Sequence, residues 1–219
     1  RIESESRRVA AWKNGRRERA WAMMRIGIAL TLTCLMAGCL FGGRAETIER
    51  FVVTPPLAVP AETQPAPGAP TLGLRPLVAA NACRLQMAYR LGEQIGFREQ
   101  EWAEAPAQTV TRAINDAIVN AHLFTDVGDA SDMARPDYML YGELRGFYEN
   151  LDKDPAEATI VVRLEVRRAQ ETELLWADTL TAVVPLEASD SPALARAMSQ
   201  AVAQVAEQTA AALRKALTS

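Results

Sequence analysis

Side chains that could act as acids, bases or metal ligands are sparse in this chain of 219 residues. Its one histidine, His122, lies near the end of a predicted helix without an Asp, Glu or Cys grouping at ligand spacing, and a single histidine cannot form a metal site. The Asp152-Lys153-Asp154 segment lacks the further acidic and Gly positions of a calcium loop, so it indicates a solvated turn. No Gly-x-Ser-x-Gly elbow, phosphate loop or dinucleotide fingerprint is present. The sequence therefore predicts a binding or structural module without a cofactor, and not an enzyme.

Three carboxylates cluster around one tryptophan, since Glu99, Glu101 and Glu104 flank Trp102. A paired-carboxylate hydrolase is one interpretation of this cluster. Acidic residues on the outer face of a strand are the simpler interpretation. Trp102 is large and stands at the end of a predicted strand, directly before a helix. This position favours a packing anchor, and a docking or ligand-stacking residue is the alternative.

The most specific chemistry in the sequence belongs to Cys39. Residues 26–37 before it are apolar and uncharged, too short for a membrane span of ~20 residues but suited to the core of an export signal. The tetrapeptide Met36-Ala37-Gly38-Cys39 looks like a lipobox, in which small side chains enter a protease cleft and the thiol takes a thioether-linked diacylglycerol. We therefore predict cleavage after Gly38 and lipidation of Cys39. An ordinary secretory signal that contains a Cys, or a short buried helix, is the alternative.

Charge is divided unevenly along the chain. Residues 1–25 carry eight Lys or Arg and three Glu, whereas the rest of the chain carries 16 basic and 24 acidic side chains. Loss of residues 1–38 as upstream sequence and signal peptide would leave an acidic protein. Such a protein is a poor partner for nucleic acid, because binding depends on neutralising phosphates. The chain begins at Arg1, so we expect translation to start at Met23 or Met24.

A tether and a proline-rich segment precede the regular part of the chain. Residues 39–47 are the expected tether, and Glu49–Val53 predicts a first strand. Seven of the twelve prolines then fall between Pro55 and Pro76. Proline removes backbone donors and fixes φ, so residues 54–71 are expected to form an extended linker or a long loop.

The remaining sequence alternates between strand and helix periods. Apolar residues at every second position predict strands around Cys83–Leu91, Ile95–Trp102, Tyr138–Tyr148 and Ile160–Val166, the last pairing with Leu174–Val184 as an antiparallel hairpin. Helical spacing predicts one helix from Pro106 to near Phe124, and a second from Ser191, the expected capping side chain, to Ala216. The order predicts an α+β domain over residues 48–217. Its antiparallel or mixed sheet carries both amphipathic helices on one face.

Four short motifs add a resemblance to this pattern. They are Arg50-Phe51-Val52-Val53-Thr54-Pro55, Leu72-Gly73-Leu74-Arg75-Pro76-Leu77, Glu101-Trp102-Ala103-Glu104-Ala105-Pro106, and Asp137-Tyr138-Met139-Leu140-Tyr141-Gly142-Glu143-Leu144. Their order along residues 48–217 resembles that of the auxiliary lipoproteins of ABC-type transport systems. These lipoproteins accompany the MCE-domain lipid transporters of Gram-negative bacteria.

The resemblance implies a function and partners. It implies a membrane-anchored, periplasm-facing accessory subunit that docks on an MCE-domain protein and takes part in lipid trafficking, with lipid itself as a candidate ligand. Energy and translocation would come from an ABC permease and ATPase. Leu40, where Asp would retain a lipoprotein in the inner membrane of enteric bacteria, favours the outer membrane over the inner. The alternative is a structural or envelope-assembly lipoprotein with a similar periplasmic domain.

Overall fold

A computed structural model describes residues 47–57, 64–170 and 173–218. The predicted signal peptide (1–38), with Gly38 and Cys39, therefore lies outside the described residues, as does most of the predicted tether. Every described strand and helix belongs to the compact unit that begins at Ile48.

The described residues form nine strands and two helices, which confirms the α+β class with a mixed sheet. In chain order they are β1 (Arg50–Phe51), β2 (Thr71–Leu74), β3 (Val78–Ala79), β4 (Gln86–Leu91), β5 (Gln94–Trp102), α1 (Pro106–Asn120), β6 (Asp126–Asp129), β7 (Tyr138–Asn150), β8 (Glu157–Arg168), β9 (Leu174–Pro185) and α2 (Ser191–Thr218). Neither described helix combines the length and apolar composition needed to cross a membrane.

The 13-residue strand β7 organises the sheet. Along one edge it pairs antiparallel with β8, which pairs antiparallel with β9. Along its other edge it pairs in parallel with β2, then β3, then β4, one after another. Strand β6 extends the sheet beyond β2, and β5 and β1 extend it beyond β4. The predicted β8–β9 hairpin is present, and the parallel pairs make the sheet mixed.

Alternating side chains place the core on one side of this sheet. Five residues of β8 are almost entirely buried: Ala158, Ile160, Val162, Leu164 and Val166. Helices α1 and α2 contact each other, and α2 packs on β8 and β9. Their apolar stripes join the inward side chains of β7 and β8 in one core. Burial of this stripe stabilises each helix, because most helical stability in proteins comes from the packing of an amphipathic face.

Two helix ends differ from the sequence prediction. Helix α1 ends at Asn120 and not near Phe124, because His122 adopts a positive φ of 52° and turns the chain away from the helix axis. Helix α2 begins at Ser191 as predicted, but its capping side chain is Asp190, one residue earlier. The Asp190 carboxylate accepts a hydrogen bond from the backbone N–H of Ala193 at 2.7 Å.

The proline-rich segment is described at both of its ends. Residues 54–57 and 64–70 contain no strand or helix, and strand β2 begins at Thr71. The Thr54 N–H donates a hydrogen bond to the Ser199 hydroxyl of α2 at 3.0 Å, and Leu57 packs against the core. The start of this segment is therefore held against helix α2 and the core.

Candidate functional site

Of the three predicted site residues, Trp102 is the one that the described structure places. It ends β5, opposite Phe51, and its side chain is 2% exposed. Its ring meets Phe147 edge-on, with centroids 5.2 Å apart and planes at 84°. A ring enclosed in this way offers no open face to a ligand. Burial favours the packing role. The contribution of Trp102 to the free energy of unfolding remains a prediction. Lipidation of Cys39 also remains a prediction.

The carboxylates around Trp102 do not converge on a common point. Glu101 forms a salt bridge with Arg50 at 3.2 Å. Glu104 accepts hydrogen bonds from Arg112 and from the Thr109 hydroxyl at the start of α1. These donors, Arg112 foremost, lower the pKa of Glu104 below its usual range. Both carboxylates are thus engaged in ion pairs that join neighbouring elements.

Asp152 and Cys83 make contacts that hold the fold together. Asp152 accepts a hydrogen bond from the Gly92 N–H at 2.6 Å, which ties the β7–β8 turn to the β4–β5 turn. Cys83 is buried, and its thiol lies 3.4 Å from the Leu144 carbonyl. Burial, with a smaller contribution from Glu143, raises the pKa of Cys83 to about 11, so it is a thiol at neutral pH. Within the described ranges, no three His, Cys, Asp or Glu side chains are grouped to hold a metal ion.

An open cleft of about 530 Å³ lies between α1 and strands β2 and β6. Its apolar wall is formed by Leu74, Pro76, Leu77, Ala107 and Val127. Polar side chains at its rim include Gln108, Arg112, Asn115 and Asp129. The Thr111 hydroxyl accepts a hydrogen bond from the Leu77 N–H at 3.0 Å and so fixes α1 to the strand connection. An apolar wall beside polar groups suits a ligand that has an apolar body and a polar end.

Sequence reasoning missed a set of arginines stacked on aromatic rings. The guanidinium carbons of Arg75, Arg84 and Arg90 lie 5.5, 5.6 and 5.2 Å from the ring centroids of Tyr141, Phe97 and Tyr148, respectively. The rings belong to β7 and β5. The available signal was weak: two tyrosines in a predicted strand indicate a face, but their arginine partners come from other strands and loops.

Sequence reasoning also missed a buried ion pair between Arg98 and Glu149. Glu149 of β7 is fully buried on the helix side of the sheet, and Arg98 of β5 donates to its carboxylate across β4. Among the described residues, the second carboxylate oxygen has no hydrogen-bond partner. A buried charge of this kind is tolerated only while it is paired.

Comparisons with known proteins agree with this architecture. A family model described as "ABC-type transport auxiliary lipoprotein component" matches residues 54–210. No curated protein matches the chain. The crystal structure of protein XCC0632 from Xanthomonas campestris is similar with a TM-score of 0.65 and 19% identity, over 77% of this chain and 99% of that one. A crystal structure of an uncharacterized protein has a TM-score of 0.60 and 11% identity, over 75% and 99%. At these identities the two structures support the fold alone.

Proposed function

Because the chain belongs to the family of ABC-type transport auxiliary lipoprotein components, we propose that it is a membrane-anchored accessory subunit of an MCE-type ABC transport system. In this role it assists lipid trafficking between the inner and outer membranes and catalyses no reaction itself. The family match over residues 54–210 carries the proposal, since it spans nearly all of the described elements. The MCE-domain protein and the ABC permease and ATPase are the partners we propose.

The surroundings of the polar residues support a binding role. The carboxylates that could suggest a hydrolase, Glu101 and Glu104, are each held by an arginine. The cleft beside α1 has a volume within the range of small-molecule sites, about 300–1,000 Å³. Its apolar wall, including Leu74 and Val127, suits an acyl chain, and the amide side chains of Gln108 and Asn115 at the rim suit a polar head group. Lipid is therefore the ligand class we propose for this cleft.

The proposed anchor is Cys39, cleaved after Gly38 and acylated. A single acyl chain binds a membrane only marginally, so stable attachment requires the several chains that a bacterial lipoprotein cysteine carries. Leu40 favours the outer membrane over the inner. Cys39→Ala should abolish incorporation of radiolabelled palmitate and leave soluble or uncleaved protein, and sucrose-gradient fractionation should place the acylated protein in the outer membrane. Unchanged labelling would refute the anchor, and recovery solely in inner-membrane fractions would refute the placement.

Co-purification tests the proposed role. The acylated full-length protein is crosslinked in its host membrane and purified, and its partners are identified by mass spectrometry. We expect an MCE-domain protein or an ABC permease, and we expect Cys39→Ala to reduce their recovery. Purification free of any transporter subunit would overturn the transport role and would favour an envelope-assembly lipoprotein.

A further inference from the structure

The side of the sheet that faces away from the helices is a broad mixed surface, here called the outer sheet face. One row across it consists of Phe97, Ala88, Tyr148, Thr159 and Val183, which are register partners on five successive strands. Phe97 and Val183 remain 38% and 41% exposed, respectively. Tyr141 and Tyr148 lie on this same face along strand β7, roughly 20 Å apart at the usual rise per residue.

Arginines lie over the aromatic rings of this face. Arg75 stacks on Tyr141, Arg90 on Tyr148 and Arg84 on Phe97. A cation–π contact restricts the guanidinium group, and Arg75 and Arg84 keep N–H donors that could take a carboxylate. Fewer rotamers then have to be ordered when a partner binds, which lowers the entropic cost of association.

The charges on the face are uneven in a way that favours an acidic partner. Glu143 and Glu165 are each in a salt bridge with an arginine two residues further along the chain. In the described part of the chain, Arg75 and Arg84 form no salt bridge. Arg75 and Arg84 are thus cations without a salt-bridge partner among the described residues, on a face that otherwise carries both signs, in a chain whose residues 26–219 hold 24 acidic and 16 basic side chains.

We propose that the outer sheet face is the docking surface for a folded protein partner that presents carboxylates opposite Arg75 and Arg84. The inference rests on the proposed function, in which that partner is a subunit of the transport system. Tyrosine and arginine are among the residues enriched at the energetic centres of protein interfaces. An anionic membrane fits less well, because Glu143 and Glu165 lie on the same face and would be repelled by a surface of uniform negative charge.

Site-specific photocrosslinking tests the surface in the acylated full-length protein in its host membrane. The photoreactive residue p-benzoylphenylalanine replaces Thr181, which is exposed on the outer sheet face, and in a matched control replaces Gln204, which is exposed on α2. We expect a transporter subunit to crosslink from position 181 and not from position 204. Raising the salt concentration should weaken the crosslink.

A second experiment reverses the charge of the two arginines. Arg75→Glu combined with Arg84→Glu should lower the crosslink from position 181 about tenfold or more, since reversal places like charges across the interface. The control is Arg196→Glu on α2, whose exposed salt bridge with Glu187 contributes little to stability. The melting temperature of Arg196→Glu should match that of the parent protein, and that of the doubly reversed protein should fall only modestly, because two cation–π contacts are lost while the core is unchanged. If the reversed protein fails to fold, the position 181 and 204 comparison and its salt dependence still decide the question.

The outcomes separate this inference from the proposed function. A transporter subunit crosslinked from position 204 alone would overturn the docking surface and leave the transport role intact. Crosslinking from position 181 to phospholipid or to a second copy of the chain would also overturn it. Absence of every transporter subunit from both positions would contradict the docking surface and the transport role together.

Discussion

The two faces of the central strands differ in chemistry and in how far they are enclosed. On the inner face of β8, Ile160, Val162 and Leu164 are fully buried under the helices. On the outer face of the same strand, the intervening Val161, Arg163 and Glu165 remain partly exposed. Substitutions on the inner face must leave cavities or unpaired charges, whereas those on the outer face mainly alter what the protein can bind.

The largest effect is expected at Trp102, which belongs to the enclosed side. Trp102→Ala removes a ring that is 2% exposed and packed on Phe147, so it should lower the free energy of unfolding by ~3–5 kcal/mol. Urea denaturation followed by circular dichroism measures this. Unchanged stability with loss of partner binding would instead make Trp102 a docking residue and erase the contrast between the faces.

The buried ion pair gives the next largest effect. Arg98→Ala leaves the Glu149 carboxylate buried without its cation and should cost about 2–3 kcal/mol, somewhat less than a fully enclosed pair because Arg98 is 26% exposed. The double variant Arg98→Met with Glu149→Leu removes both charges and should recover most of that loss. A double variant as unstable as Arg98→Ala would show that the pair itself, and not the orphaned charge, sets the cost.

Substitution on the outer face should cost much less stability. Tyr141→Ala loses the cation–π contact with Arg75 and part-buried ring surface, and should lower the free energy of unfolding by roughly 1–2 kcal/mol. The same variant should reduce the crosslink from position 181. A loss of stability comparable to that of Trp102→Ala would mean that this face is part of the structural core.

The smallest effect concerns pH and the start of α1. The pKa of Glu104 is lowered in the folded protein, mainly by its hydrogen bond with Arg112. The ionised carboxylate therefore contributes to the free energy of unfolding at any pH above the ordinary pKa of a glutamate. That contribution is lost as pH falls through the lowered folded-state pKa. Glu104→Gln should therefore reduce stability at pH 7 by ~0.5 kcal/mol and flatten its acid dependence. The comparison is made by thermal melting at pH 7 and pH 3, and equal acid slopes would contradict it.

The same contrast explains what the sequence could and could not predict. The alternation of apolar residues from Ile160 to Val166 was enough to predict β8 and its hairpin partner, because the two strands are neighbours in the sequence. The parallel pairing of β2, β3 and β4 with β7 depends on contacts between distant segments, and each of these three paired stretches is only two or three residues long. Asp190 took the capping role predicted for Ser191 because local geometry, and not residue type, chose between adjacent oxygen-bearing side chains.

The site residues follow the same rule. Trp102 was identifiable from its size and position, but the reach of Arg98 across β4 to Glu149 requires the register of three strands. The stacking of Arg75 on Tyr141 joins residues 66 positions apart in the sequence. No spacing rule links such residues, so the features that distinguish the two faces could be found only in the folded chain.

The central position of strand β7 also bears on the order in which the strands can pair during synthesis. Strands β2, β3 and β4 all pair with residues 138–150, which are synthesised after them. A chain that emerges with its N-terminus first therefore holds these strands without their neighbour until β7 appears, and non-local pairing of this kind is slow. The sheet can therefore close around β7 only after residues 138–150 have been synthesised, whatever local pairs such as the β4–β5 hairpin form earlier.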